Sequence, residues 1–297
     1  MIINKGNLTA LFIAFSAAFK EAFGAVTADY KQITMTVPST TSENEYGWLG
    51  QTTQFREWLG DRVIQNIQEH GFSIKNKSFE NTVGVPRDKI EDDQYGVYSP
   101  LMSQLGQDAA QHPDTLIWAL LKNGFSVKCY DGQNFFDTDH PVLDATGAEQ
   151  SVSNFGGGAG APWFLIDNSR VIKPLILQQR KPYNFVSMNQ EDDENVFMRK
   201  EFIYGTDARL NVGFGLWQLA YASKQTLDAT NFNAAYAAMS SLKGDNGRPL
   251  GIRPKLLVVG PAQRAAALEV VKAERNAAGA TNINRDVVDV LVVPWLA

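Results

Sequence analysis

The chain has 297 residues and a formal net charge of −5, with both signs spread along it, so no basic surface for wrapping nucleic acid is indicated. It holds one cysteine, Cys129, which excludes an intrachain disulfide and a secreted disulfide scaffold. The length suits one large domain or two modest ones.

The first segment with a clear period is Leu8–Phe23, LTALFIAFSAAFKEAF. Lys5 alone precedes it, and Lys20 and Glu21 interrupt it, so it reads neither as a signal peptide nor as a membrane span. Asn7 is the expected N-cap of an amphipathic helix. Phe12, Phe15, Phe19 and Phe23 fall at helical spacing and form one stripe. Two uses for the stripe stay open: docking on the chain's own core, or on a partner subunit. Tyr30, Ile33, Met35 and Val37 then predict an extended segment ended by Pro38.

A second helix is predicted over Thr52–His70, with Phe55, Trp58, Leu59, Val63 and Ile67 on its apolar face and Gly71 closing it. The stretch from Gly71 to Val97, GFSIKNKSFENTVGVPRDKIEDDQYGV, switches to strand chemistry. It predicts a projecting two-stranded arm with too few apolar residues for a core of its own. Lys75, Lys77, Arg87 and Lys89 mix there with Glu80, Asp88, Glu91, Asp92 and Asp93. An ordinary solvated face would look the same. The sharper reading is a subunit contact whose charges set register, with Phe79 among its apolar residues. On that reading, deleting Ser73–Asp93 leaves a folded but assembly-defective subunit.

Ser99 and Pro100 start a third helix, which Asn123 and Gly124 close and which Pro113 is expected to kink or split. Strands are predicted over 126–130, 163–166, 171–178 (an edge or bulge, from Pro174), 196–205, 255–260 and 287–294, and helices over 231–242 and 261–276. The irregular alternation points to an α+β fold. The glycine-rich run 153–161 lacks phosphate-loop spacing.

Catalytic signals are weak. Asp137, Asp139 and His140 form a DxDH cluster that offers too few ligands for an ordinary divalent site. A turn with solvated carboxylates is the plainer reading, and a metal-dependent hydrolase the rival. Cys129 reads as a small buried hydrophobe, and no GxSxG elbow occurs. No cofactor is implied.

Longer stretches carry a family resemblance: DGQNFFDTDHPV (131–142), PWFLIDNSRVIKPLILQQR (162–180), YGTDARLNVGFGLWQLAY (204–221), GIRPKLLVVGP (251–261), and Asn282 with VVPWL (292–296). With these the sequence resembles the major capsid proteins, or major head subunits, of Mu-like tailed phages, over nearly its whole length. The resemblance implies the Hong Kong 97-type capsid fold. Its parts would be an N-terminal arm (1–46), a peripheral-domain helix (47–70), an extended loop (71–97), a peripheral domain with the spine helix (98–130), an axial domain with interleaved peripheral strands (131–276) and a C-terminal strand (277–297). It further implies a non-enzymatic protein that assembles as hexamers and pentamers into an icosahedral shell. That shell would enclose double-stranded DNA without sequence-specific binding, with scaffold, portal and decoration proteins as partners and no membrane. Assembly would occur in the host bacterial cytoplasm and the product would be the virion capsid. A smaller phage ring or tail protein is the alternative from the same class. Some relatives join subunits by a lysine–asparagine isopeptide bond. Lys75, Lys77 and Lys89 lie in the corresponding loop, but no partner asparagine or catalytic acid is identified, so that chemistry is not carried over. The subunit contacts expected on this reading are Phe12, Phe15, Phe19, Phe23, Lys75, Lys77, Phe79, Arg87, Lys89, Glu91, Asp92 and Asp93.

Overall fold

A computed structural model describes residues 2–49, 71–92, 95–276 and 278–297. The predicted helix 52–70, with Phe55, Trp58, Leu59, Val63 and Ile67, therefore lies outside the described residues, as does Asp93.

Helix α1, Lys5–Ala25, is capped three residues earlier than expected: Asn4 Oδ1 accepts from the Asn7 backbone N–H at 2.9 Å. Twenty-one apolar-rich residues are long enough to cross a bilayer by composition alone. Here Leu8, Leu11, Phe15 and Phe19 instead face the protein's own interior. After α1 come strand β1 (Thr34–Pro38) and two short strands, β2 (Glu43–Glu45) and β3 (Ser73–Lys75), which pair antiparallel with each other. Strand β4 (Lys77–Pro86) leads into the short helix α2 (Arg87–Glu91) and then the 24-residue helix α3 (Ser99–Lys122).

Gly71–Val97 therefore does not close on itself as a hairpin. β3 pairs with the N-terminal segment, and all ten residues of β4 pair antiparallel with a strand far downstream, from Lys77 opposite Leu210 to Pro86 opposite Glu201. Ile74 near one end and Val85 and Ile90 toward the other are buried, which ties both ends of the stretch into the body. Deleting Ser73–Asp93 would remove an integrated strand, so the expectation of a folded deletion subunit is withdrawn.

α3 is neither split nor interrupted at Pro113. Proline has no N–H for the Ala109 carbonyl, but buried contacts hold the helix on both sides of it. Just beyond, the buried Asp114 carboxylate accepts from the Tyr30 backbone N–H at 2.7 Å and from Trp118 Nε1 at 3.0 Å. Burial pushes the Asp114 carboxyl above its ordinary value, and those two donors oppose the shift.

The second half begins with a loop, not the strand expected over 126–130; only the isolated bridge of Lys128 with Asn134 forms there. β5 (His140–Leu143) and β6 (Glu149–Val152) make a hairpin, followed by β7 (Phe155–Gly158) and β8 (Trp163–Ile166). β9 (Leu175–Met188) starts after Pro174 and lies in the sheet interior rather than at an edge. The short helix α4 (Glu194–Arg199) replaces the first part of the strand expected from Val196, and β10 (Glu201–Phe214) follows. Lys200 turns the chain between them in the left-handed region, φ +55°. Then come β11 (Ala220–Lys224), α5 (Ala229–Ser240), the two-residue strands β12 (Lys243–Gly244) and β13 (Arg248–Pro249), β14 (Leu256–Val259), α6 (Arg264–Val271) and β15 (Asp289–Val292). α6 is shorter than the 261–276 span read from the sequence.

Two main sheets result. One runs β1-β9-β10-β4, the other β15-β14-β8-β11-β7. The larger core lies about the second sheet, with Trp163, Phe164, Trp217, Phe232, Leu257 and Val258 inside. A smaller one lies between α1, α3 and the distal half of the first sheet, with Phe15, Leu105, Phe185, Phe202 and Tyr204. The α+β class expected from the sequence holds.

Candidate assembly surfaces

The phenylalanine stripe divides. Phe15 meets Tyr204 edge-on at 5.1 Å between ring centroids, and Phe19 packs on Phe185 at 5.1 Å. Both are buried in the chain's own second core, so neither is free for a neighbour; this corrects their expected role at a subunit contact. The reason is the surface α1 meets, which is the apolar face of β9 and β10 beside α3. Phe12 is half-buried and stacks on Phe185, while Phe23 is exposed at the end of the stripe beside Tyr183.

The charged stretch is not one cluster. From Lys77 to Pro86 the strand covers about 30 Å, so Lys75 and Lys77 sit at one end of β4 and Arg87, Lys89, Glu91 and Asp92 at the other. Phe79 turns inward and meets the His112 ring at 4.5 Å. Arg87 pairs with Glu91 at 2.8 Å and reaches Glu191 at 3.8 Å. α2 therefore lies beside the turn joining β9 to β10. Lys75, Lys77, Lys89 and Asp92 are exposed.

That turn carries residues the sequence reading passed over. On α4, Asn195 and Val196 face inward, and Phe197 and Met198 face out. The signal was present in ENVFMR: two large apolar residues between an acidic run and Arg199–Lys200. Reading them as alternating strand residues hid it.

The DxDH residues do not converge. Asp137 accepts from the Asn134 backbone and side chain and from the Thr138 backbone, at 3.2, 2.9 and 2.8 Å. Asp139 is exposed. His140 is fully buried and turns to other partners: Nδ1 lies 2.6 Å from Asp131 Oδ2, Nε2 lies 3.2 Å from Asn154 Oδ1, and the ring stacks on Trp217 at 3.9 Å. Cys129 donates to the other Asp131 oxygen at 3.0 Å. Cys129, Asp131 and His140 do come together, with donor atoms within 4.8 Å, and they satisfy one another by hydrogen bonds. Burial pushes the Cys129 thiol far up, with the Asp131 carboxylate beside it adding to the shift, so it is no nucleophile. Neither pattern assembles a base, a nucleophile and a substrate cleft.

Burial would raise the Asp131 carboxyl, but hydrogen bonds from His140, Cys129 and the Gln133 backbone outweigh it and hold it below the ordinary value. The sign follows from linkage. A folded pKa below the unfolded one stabilises above the unfolded value, and the gain is lost as pH falls through the folded one. Asp131→Asn is accordingly expected to lower stability at pH 7 by about 3 kcal/mol and to lose less than the parent between pH 5 and pH 3. Thermal unfolding across that range checks this; parallel curves for parent and variant would contradict it.

Among the described residues, the arrangement is a body with the long paired strands β9 and β10, an apolar-tipped turn between them, and no reaction centre. It is the fold of a phage shell subunit, of the Hong Kong 97 type. Superposition on the procapsid of bacteriophage JBD30 gives a TM-score of 0.89 at 50% identity, covering 99% of this chain and 100% of that one. The JBD30 capsid decorated with minor capsid protein trimers gives 0.78 at 38% identity over 94% of each chain. The major capsid protein of Escherichia phage Mu is 40% identical over 292 residues, 96% of both chains. A sequence model described as Mu-like prophage major head subunit gpT matches residues 8–296, and the chain belongs to that family. It is a structural capsid protein rather than an enzyme, and the hydrolase reading falls with the geometry of Asp137, Asp139 and His140.

Proposed function

We propose that this chain is the repeating subunit of the icosahedral head of a tailed bacteriophage, assembled as hexamers and pentamers around double-stranded DNA. The observation that carries the reading is the end-to-end structural likeness to the JBD30 procapsid subunit. α3 serves as the spine helix of a peripheral domain built with α1 and the four-stranded sheet. The five-stranded sheet with α5 and α6 forms the axial domain. A net charge of −5 with no basic stripe suits a wall that encloses DNA without binding particular sequences.

Scaffold and portal proteins complete the assembly in the bacterial cytoplasm. The decorated JBD30 capsid supports a minor capsid protein as a further partner. Exposed Phe23, Lys75, Lys77, Lys89, Glu91 and Asp92 are proposed at contacts between copies.

Purified chain viewed by negative-stain electron microscopy is expected to show closed shells. A population of small rings alone would favour a tail or adaptor component and overturn the reading.

A further inference from the structure

Between α3 and strands β4, β9 and β10 lies a cavity of about 320 Å³, the size of a small-molecule site. One wall is aromatic. The Tyr183 hydroxyl and His112 Nδ1 lie 2.5 Å apart, and Phe79 stands edge-on to the His112 ring. Burial pushes the Tyr183 hydroxyl far up and holds the His112 imidazole below its ordinary value, so both are uncharged at pH 7. Thr206 of β10 also lines the cavity. It is 4% exposed and shares its strand face with the buried Tyr204 and Ala208, which turns its side chain toward α3. Its Oγ1 is buried and has no hydrogen-bond partner among the described residues. A hydroxyl left so costs stability until something entering the cavity pairs with it.

The charges select what enters. Asp108 and Glu80 line the cavity, and both are exposed. Glu80 Oε2 accepts from the Thr82 hydroxyl at 2.6 Å. Asp108 makes no ion pair or hydrogen bond among the described residues. No lysine or arginine among them lines the cavity; Lys77, two residues before Phe79 on β4, is outside the lining. An anion would meet only acid here. A wholly apolar ligand would leave Thr206 unpaired. A divalent ion would find too few oxygen ligands and no use for aromatic faces. A primary ammonium suits a lone carboxylate, and its hydrocarbon chain suits aromatic rings, which also attract cations.

We propose that this cavity binds a small organic cation: a primary ammonium at Asp108, a short chain along Phe79 and Tyr183, and a second polar group paired with the Thr206 hydroxyl. Such a ligand ties α3 to β4, β9 and β10. The inference stands apart from the shell reading and is tested on soluble, unassembled full-length chain.

The probe is 4-amino-1-butanol, with butylamine, 1,4-butanediol and magnesium chloride as comparisons at matched ionic strength. At about 10 mM, tenfold above a Kd on the order of 1 mM, the amino alcohol is expected to raise the thermal midpoint by about 3 °C. Butylamine should bind about tenfold more weakly, and the diol and magnesium should not shift the midpoint. Asp108→Asn, at an exposed position that leaves the fold intact, is expected to weaken both amines about tenfold. Thr206→Val is expected to raise the midpoint of the unliganded chain by about 2 °C, because it removes an unpaired hydroxyl. It should also bring the amino alcohol down to the affinity of butylamine and leave butylamine unchanged, a coupling that a merely structural role would not produce. No shift with the amino alcohol, an equal shift with the diol or magnesium, or parental affinity in Asp108→Asn would overturn the proposal. So would a lower unliganded midpoint in Thr206→Val, which would mean that water alone serves the hydroxyl. If Thr206→Val does not fold, the probe series and Asp108→Asn decide.

Discussion

Replacing Gly106 by alanine is expected to destabilise the protein by about 3 kcal/mol, against the sign that helix propensity predicts. In a free helix the change stabilises by about 1 kcal/mol. Here a Cβ on Gly106 would overlap the Phe19 carbonyl oxygen and lie 3.0 Å from its carbonyl carbon. Those are backbone atoms of α1, so no side chain can swing aside. α1 must move off α3, and the cost spreads to the packing of Leu8, Leu11, Phe15 and Phe19. Overpacking of this kind costs about 1–3 kcal/mol or more. The expected fall in unfolding midpoint is on the order of 10 °C. A midpoint equal to or above the parent's would mean that α1 does not dock on α3 as described.

Asn154→Ala is expected to cost more, about 4 kcal/mol from several buried polar groups left without partners. Asn154 is fully buried, and its Nδ2 donates to the carbonyls of Phe135, Trp217 and Ala220 at 2.8, 3.4 and 3.2 Å. Its Oδ1 accepts from the Asp137 N–H at 2.9 Å and faces His140 Nε2. One amide thus joins the 131–142 loop, the segment before β7 and the turn before β11. Trp217, which stacks on His140, is one of six tryptophans, and their summed emission under denaturant gives the unfolding midpoint of parent and variant. A variant with the parental denaturation midpoint would show that the network contributes little.

Much of the fold was legible in the sequence. Continuous apolar runs at 163–166 and 256–259 became the buried strands β8 and β14, as length and β-branched content imply. The α3 span was read closely because Ser99, Pro100 and Asn123 are local signals, although Ser99, read as the N-cap, is the first helical residue and Tyr98 stands at the cap. What failed was long-range. Nothing near Lys77–Pro86 says that its partner lies at 201–210, and a strand rich in charge reads the same as an arm or as a sheet edge. Pro113 could not be judged because its compensation comes from Tyr30 and Trp118 meeting Asp114. The stripe on α1 was seen, but its target was not: Phe185 and Tyr204 stand far away in the chain. His140 was singled out beside the wrong carboxylates. Sequence adjacency favoured Asp137 and Asp139, while the loop folds to present Asp131.

β9, β10 and α3 each run through both cores. β9 starts at Leu175 in the larger one and passes Phe185 in the smaller; β10 runs from Phe202 in the smaller to Phe214 in the larger; α3 goes from Met102 in the smaller to Leu121 in the larger. Three continuous members side by side act as a beam. Moving one end relative to the other must bend all three, and the strain is shared along some fourteen residues of each strand instead of falling on a single joint. A load applied at one end is therefore expected to spread as curvature along all three members rather than to fold the subunit at a single hinge.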